Sequence, residues 1–332
     1  MTPIAPLITS FLREHLPNER GFGENTCQTY AYAFQLFFKF ASVKLKVRPS
    51  DLQLEQLGSD MVLAFLSDIE KSRGNSPSTR NSRLAAIKAF MKYIEFKEPS
   101  AIEQVRQIRD IASKRHDVPL IKHLNREEIQ AIINAPNLNT RLGIRDRSML
   151  HLCYVAGLRV SELVELPLSS VALQKTVSIN VIGKGRRERC MPLWKETAID
   201  LKGWISVRGD VQTPELFVNA NGIAIGRAGF EYILNKYVKL AATKVPSLSE
   251  RKISPHQLRH SCAVLMLQAT RDIRKVSLWL GHADIRTTEI YLKIDPSEKL
   301  EAIEAVVPLS LRRGKFKAPD KLIASLMGYG IM

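Results

Sequence analysis

The stretch "ISPHQLRHSCAVLML", residues 253–267, carries the densest chemistry of the chain, and the reading of the fold turns on it. Ser254 suits an N-cap and Pro255 suits the first helical position, so the pattern predicts a helix opening at Pro255. His256 and Arg259 stand three apart in its first turn and share a face, and His260, four beyond His256, lies near that face. The run from Ala263 to Leu267 is apolar and anchors the helix. A helix N-terminus offers unpaired N–H groups and the positive end of a dipole, which favour an anion. An arginine beside two imidazoles suits a phosphate there, although solvent-exposed capping residues have the same composition. The H-x-x-R-H pattern lacks the glutamate and second ligand set of a zinc helix, so no metal site is read here.

Three further stretches extend this reading. "AGLRVSEL", residues 156–163, places Arg159 just past the glycine that ends an apolar helix, with Glu162 opening the next. An ion pair between the two is the plain alternative. "VIGKGRRERC", residues 181–190, puts Lys184 between two glycines at a hairpin tip, followed by Arg186 and Arg187. Such a finger enters a groove, meets a leaving oxygen, or simply touches a DNA backbone; the spacing is not that of a Walker loop. "SLWLGHADIRTTEIYLKID", residues 277–295, supplies His282 after a helix-closing glycine and Tyr291 nine residues later. A lone tyrosine is usually a core residue with its hydroxyl at the rim.

Composition narrows the function classes. The chain has 332 residues, a length that suggests two domains or three, and 45% of them are apolar. Forty-nine Lys and Arg against 33 Asp and Glu give a net charge of +16. A folded protein this positive attracts a polyanion, and nucleic acid is the usual one. The longest apolar runs are short and flanked by charge, and the N-terminus has no basic region leading into an apolar core. Neither a membrane partner nor a secretory signal is read. The four cysteines, Cys27, Cys153, Cys190 and Cys262, form no C-x-x-C pair, and Cys27, Cys153 and Cys262 lie in helix-like apolar settings. Free thiols in a reducing cytoplasm are the expectation.

The chain divides by pattern. Residues 1–111 read as an all-helical domain, with Pro3 opening a helix to about His15. Tyr30, Phe34, Phe37 and Phe38 recur at helical spacing, Ser59 and Gly74 bound a third segment, and Ser76-Pro77 opens a fourth. That last helix places Leu84, Ile87, Phe90, Met91 and Ile94 on one stripe and carries Arg80 and Arg83 in its early turns. This basic face fits contact with a DNA backbone, and a solvated face has the same composition. Residues 112–123 are polar, basic and broken by Pro119, as in a linker. From Leu124 the pattern mixes. Asn125 and Glu128 form a capping box, an apolar helix ends at Gly157, and Val177, Ile179 and Val181 alternate into a hairpin that returns to Leu193. Helices follow to about Val306, and no βαβ series appears, so the fold class is mainly α with a small β-sheet (α+β). Residues 306–332 end in an amphipathic piece with Leu322, Ile323, Leu326 and Met327.

The ordered set "AGLRVSEL", "IGKG", "HQLRH", "LGH" and a tyrosine resembles the tyrosine recombinase, or phage integrase, family over roughly residues 4–305. Each piece is weak, and the set in this order and spacing is highly specific. The resemblance implies an N-terminal helical core-binding (SAM-like) domain over 1–111 and a catalytic domain over 124–305. It implies that Arg159, Lys184, His256, Arg259, His282 and Tyr291 form the active site, with Glu162 and His260 in support. Arg80, Arg83, Arg186 and Arg187 are then DNA contacts. Gln257 stands where the family usually has Asp, and Thr270-Arg271 where a glycine is common.

The implied chemistry needs no metal, cofactor or ATP. Arg159 and Arg259 grip the non-bridging oxygens of a phosphodiester, and His282 donates to them. Tyr291 attacks, His256 takes its proton, and nearby positive charge lowers its ordinary pKa of ~10. Lys184 protonates the leaving 5′-oxygen, and a 3′-phosphotyrosyl link conserves the bond for rejoining. The imidazole roles are exchangeable at this level. The resemblance further implies double-stranded DNA with an inverted-repeat core site, a homotetramer on paired sites, and in some systems a second recombinase; it makes the tail within 306–332 a candidate for exchange between protomers, with an amphipathic tail folded back on its own domain as the plain alternative. The expected function is site-specific recombination serving integration, excision or transposition. A type IB topoisomerase, or a non-catalytic DNA-binding protein of the same fold, is the alternative.

Overall fold

A computed structural model of the chain describes residues 1–115, 122–183, 187–282 and 284–293. The chain forms two compact units, Met1–Pro119 and Leu120–Met332. Lys184, Arg186 and the tail 306–332 lie outside the described residues.

The first unit is helical. Helix α1, Ile4–Ser10, continues into a π-helical stretch, Phe11–Glu19, that contains Pro17. Proline has no N–H to give an α-helical ladder, and a widened turn is a usual response to such a mismatch. Helix α2, Glu24–Leu45, ends on Lys46 in the left-handed region at φ 57°. Helix α3, Ser59–Lys71, is capped at Gly58, one residue before the Ser59 that the sequence suggested. Helix α4, Pro77–Lys97, starts where expected, with the Ser76 hydroxyl accepting from the Thr79 N–H at 3.3 Å. Helix α5, Ile102–Asp110, completes the unit. Its core is aromatic: Phe34 meets Phe90 edge-on at 5.4 Å between centroids, and Phe37 meets Phe65 at 5.1 Å. The stripe Leu84, Ile87, Phe90, Met91 and Ile94 is buried as its spacing predicted. Each such side chain removed from water contributes about 1.5–3 kcal/mol.

The segment read as a linker from residue 112 begins as part of this unit. Asn81 donates to the Lys114 carbonyl at 2.8 Å and accepts from its N–H at 2.9 Å, and the Lys114 ammonium meets Glu70 at 2.9 Å. This changes the reading of Arg80. It is only 9% exposed, donates to the Ala112 carbonyl at 3.3 Å and stands 3.9 Å from Glu70. Its guanidinium fastens the chain after α5 onto α4 instead of presenting a free cation to DNA. Arg83 lies over the Tyr32 ring at 4.9 Å, with its Nε buried and unpaired.

The second unit packs helices around a small sheet. Its elements are α6 (Arg126–Asn134), α7 (Arg141–Val155), α8 (Val160–Val164), then β1 (Val171–Ala172), β2 (Ser178–Ile182) and β3 (Glu188–Pro192). Helices α9 (Lys195–Arg208), α10 (Arg227–Ala242), α11 (Pro255–Thr270) and α12 (Ile273–Leu280) follow, with 3₁₀ turns at Ile285–Thr287 and Glu289–Lys293. The sheet is antiparallel in the order β1-β2-β3. Val177, Ile179 and Val181 are buried on its inner face, and Val181 pairs with Arg189 and Ile179 with Met191. Buried Leu152, Trp204, Phe217 and Phe230 fill the core between sheet and helices. Asn125 and Glu128 form the expected capping box, and Glu128 also accepts from Ser247 and Arg251, both at 2.7 Å. Cys153 and Cys262 are buried free thiols, while Cys27 is only partly buried. Among the described residues no helix is long and apolar enough to cross a membrane.

Both departures from the family pattern have local accounts. Gln257 accepts from the Ser254 N–H at 2.8 Å through its side chain, a task an aspartate at this position would reach less easily. Arg271 closes α11 at φ 51°, the left-handed conformation in which a glycine carries no Cβ penalty.

Candidate active site

Glu162 is the hub of the site. Its side chain is only 4% exposed, and it sits in the first turn of α8, within reach of the residue that precedes the helix. It accepts from the Arg159 N–H at 2.9 Å and from the Arg159 guanidinium at 2.7 Å. From β3, Arg189 adds a fork, with Nη2 at 2.7 Å from one carboxylate oxygen and Nη1 at 3.3 Å from the other. Arg259 stands 3.9 Å away. Burial alone pushes the Glu162 carboxyl up, but the hydrogen bonds from Arg189 and Arg159 outweigh it and hold the group below its ordinary value.

Arg259, in the first turns of α11, is 2% exposed. Its Nη1 donates to the Gly157 carbonyl after α7 and its Nη2 to the Leu280 carbonyl at the end of α12, at 2.6 Å for the latter. These are helix C-terminal carbonyls, where a cation is favoured. Burial and then the neighbouring Arg159 lower its pKa to about 10, so it stays a cation at neutral pH. The glycines of all three motifs make the close packing possible. Gly157 and Gly281 have φ 56° and 64°, and a Cβ on Gly281 would stand 2.9 Å from Nη1 of Arg189. A Cβ on Gly183 would stand 3.2 Å from the same atom and 3.3 Å from Glu162.

Beside the arginines lie the imidazoles and the phenol. The Tyr291 hydroxyl is hydrogen-bonded to Nδ1 of His260 at 2.7 Å, and the residue is 2% exposed. The rings of His256 and His260 are 4.2 Å apart between centroids. His282 is fixed through Nδ1 by the buried Thr288 hydroxyl at 2.7 Å, so a ligand would be met through Nε2. Burial is the first cause that lowers His260 and His282 to about 4, helped by the neighbouring His256 and Arg259 for the former and by Arg259 and Arg159 for the latter; burial and the same two arginines also lower His256. All three are neutral at pH 7. Tyr291 departs from the expectation of a lowered pKa: burial raises it to about 12 and outweighs the pull of Arg259 and Arg159.

Thus Arg159, His256, Arg259, His260, His282, Glu162 and Tyr291, scattered over more than a hundred residues of sequence, form one constellation. Lys184 and Arg186 fall outside the described residues, and Arg187 is exposed at the base of the hairpin. The sequence reading gave the tyrosine proton to His256, whereas the imidazole in contact with the phenol is that of His260. Arg189 and Thr288 were not singled out.

Residues 122–298 match the phage integrase family, and residues 8–97 match the phage integrase N-terminal SAM-like domain. The chain is 36% identical to the "Putative integrase/recombinase y4rC" of Sinorhizobium fredii (strain NBRC 101917 / NGR234), covering 97% of each chain. It is 30% identical to tyrosine recombinase XerC of Myxococcus xanthus over 93% of this chain and 99% of that one. Among solved structures it is similar to the XerH site-specific recombinase bound to difH substrate in a pre-cleavage complex, with 25% identity, a TM-score of 0.64, and coverage of 90% and 84% of the two chains. With matches along both units and near full-length relatives, the chain belongs to the phage integrase family and is a site-specific tyrosine recombinase.

Proposed function

We propose that the enzyme cuts and rejoins double-stranded DNA through Tyr291, with the constellation around Glu162 holding the scissile phosphate. Arg159 and Arg259 bind its non-bridging oxygens through their remaining donors, and the Nε2 edge of His282 adds a further donor. The phenol of Tyr291 attacks phosphorus and its proton passes to Nδ1 of neutral His260, the bond already present at 2.7 Å. His256 packs edge-to-face against His260, with 4.2 Å between ring centroids, and holds that imidazole in place beside the phenol. Lys184 protonates the 5′-oxygen as the P–O bond breaks. The 3′-phosphotyrosyl link retains the bond energy, so a second strand's 5′-hydroxyl reverses the step without ATP. The two guanidiniums supply the charge that a metal supplies elsewhere.

Beyond the single cut, the reading extends to an inverted-repeat core site, four protomers on paired sites, the tail 306–332 as the element exchanged between them, and in some settings a partner recombinase. Integration, excision or transposition of a mobile element is the biological setting, in the cytoplasm. The single observation that carries the reading is the Tyr291–His260 bond beside the three-arginine cluster. Incubating the protein with fragmented genomic DNA, then sequencing DNA in SDS-resistant adducts, identifies the site and tests the chemistry. Wild type is expected to yield a defined sequence. Tyr291→Phe should abolish the adduct while leaving duplex binding within about threefold, since the phosphate contacts persist. An adduct that survives in Tyr291→Phe would show another residue to be the nucleophile.

A further inference from the structure

Arg189 is the cation nearest the site that has no place in the chemistry above. Its side chain is 12% exposed, and its donors face inward: Nη1 and Nη2 take both oxygens of Glu162, and Nε meets the Met191 sulfur at 3.4 Å. All three of its nitrogens are engaged in these contacts. Arg159, by contrast, is 33% exposed and shares the same carboxylate. Without Arg189, Arg159 and Arg259 would face the buried carboxylate alone, Arg159 would be drawn into closing the pair, and one positive charge in place of two would remain for a phosphate. With Arg189 present, three guanidiniums face one carboxylate, and two positive charges remain for the substrate.

We propose that Arg189 is a positioning residue for strand cleavage: its fork satisfies Glu162 from the hairpin side, so that Arg159 keeps its charge and outward donors for the scissile phosphate. The packing was made for this contact. Gly183 and Gly281 flank the guanidinium at distances that a Cβ would close, and Val181, its pairing partner on β2, faces the core. The inference rests on the assignment of Arg159 to phosphate binding.

The test uses the full-length chain and a duplex carrying the site recovered from wild-type adducts. The duplex is made in two forms, with an ordinary phosphodiester or an uncharged methylphosphonate at the cleaved position. Arg189→Met is expected to slow adduct formation on the phosphodiester by about thirtyfold, less than the loss from removing a direct oxyanion donor. On the methylphosphonate, which carries no charge to neutralise, the same variant should stay within about threefold of wild type. Adding Glu162→Gln to Arg189→Met removes the negative charge that competes for Arg159 and should restore about tenfold on the phosphodiester, a coupling a double-mutant cycle reads directly. Arg189→Lys, which keeps the charge and loses the fork, should lie between, and it serves if the methionine variant fails to fold. Equal losses on both substrates, with no gain from Glu162→Gln, would overturn the proposal and leave Arg189 a packing residue. No adduct from the wild-type chain would instead overturn the assignment of the site, and this inference with it.

Discussion

At the residue scale, the site is a study in how burial and charge divide a set of basic groups. The arginines remain cations, while the imidazoles between them are held neutral. An ordinary histidine titrates near ~6.5, and His260 and His282 do so at about 4 in the folded chain. Between those values the unfolded chain holds protons that the folded chain refuses. Stability without DNA therefore falls as pH drops from about 6.5 towards 4, and is fully present above that window. After allowance for their partial exposure, each is expected to contribute about 1 kcal/mol of loss by pH 5. Urea titrations at pH 7 and pH 5 check this: His260→Asn and His282→Asn should each flatten the difference, and an unchanged difference would count against it. Most of these residues were legible because motif spacing placed them. Arg189 was missed, although a different signal pointed to it. Val177, Ile179 and Val181 fix the inward face of the hairpin, and the return strand then turns Arg189 inward with Met191. An inward arginine demands a buried anion, and Glu162 was already in view. Arg80 was misread because its fate depends on Ala112, thirty-two positions away, and no local pattern reports that bond.

At the element scale, helix starts were read well where a side chain does the capping, as at Ser76 and Asn125. They were read less well where glycine precedes the helix, as at Gly58, because a backbone cap leaves no side-chain signal. The two-residue strand β1 has too few positions to show alternation, and the π-helical stretch that contains Pro17 keeps a helical spacing of apolar residues that does not tell a widened turn from an α-helical one. Helix ends offer a sharper check. Lys46 is exposed and closes α2 at φ 57°, where a side chain is strained and a glycine is not. Lys46→Gly should stabilise the first unit by about 0.5–1 kcal/mol, and Lys46→Ala should not. The urea midpoint followed by circular dichroism measures this; a lower midpoint for the glycine variant would show the lysine to be held by something other than its backbone.

For the whole molecule, the change of pattern near residue 112 predicts a division of the chain, and the boundary between the two compact units falls in the same segment of the sequence, after Pro119. The first few residues of the segment belong to the N-terminal unit because Lys114 and Ala112 find partners there, which composition does not reveal. The charge of +16 was the first functional hint, and it has a measurable signature. Each phosphate neutralised on a duplex releases counterions, so affinity falls with added salt. A recombinase using both units is expected to neutralise about six or more phosphates, giving a slope near −5 in a plot of log affinity against log salt concentration. A slope near −1 would mean that most of the positive charge never meets DNA.

The double grip of Arg259 on the Gly157 and Leu280 carbonyls also governs how rate losses at that position should be understood. This guanidinium is a rivet through the tips of two helices as well as a hand for the substrate. Shortening or neutralising it would let α7 and α12 drift apart at the very place where Arg159 and His282 emerge. A kinetic deficit measured there is therefore chemical and mechanical at once, and the larger share belongs to whichever of the two a guanidinium supplied from solution fails to repair.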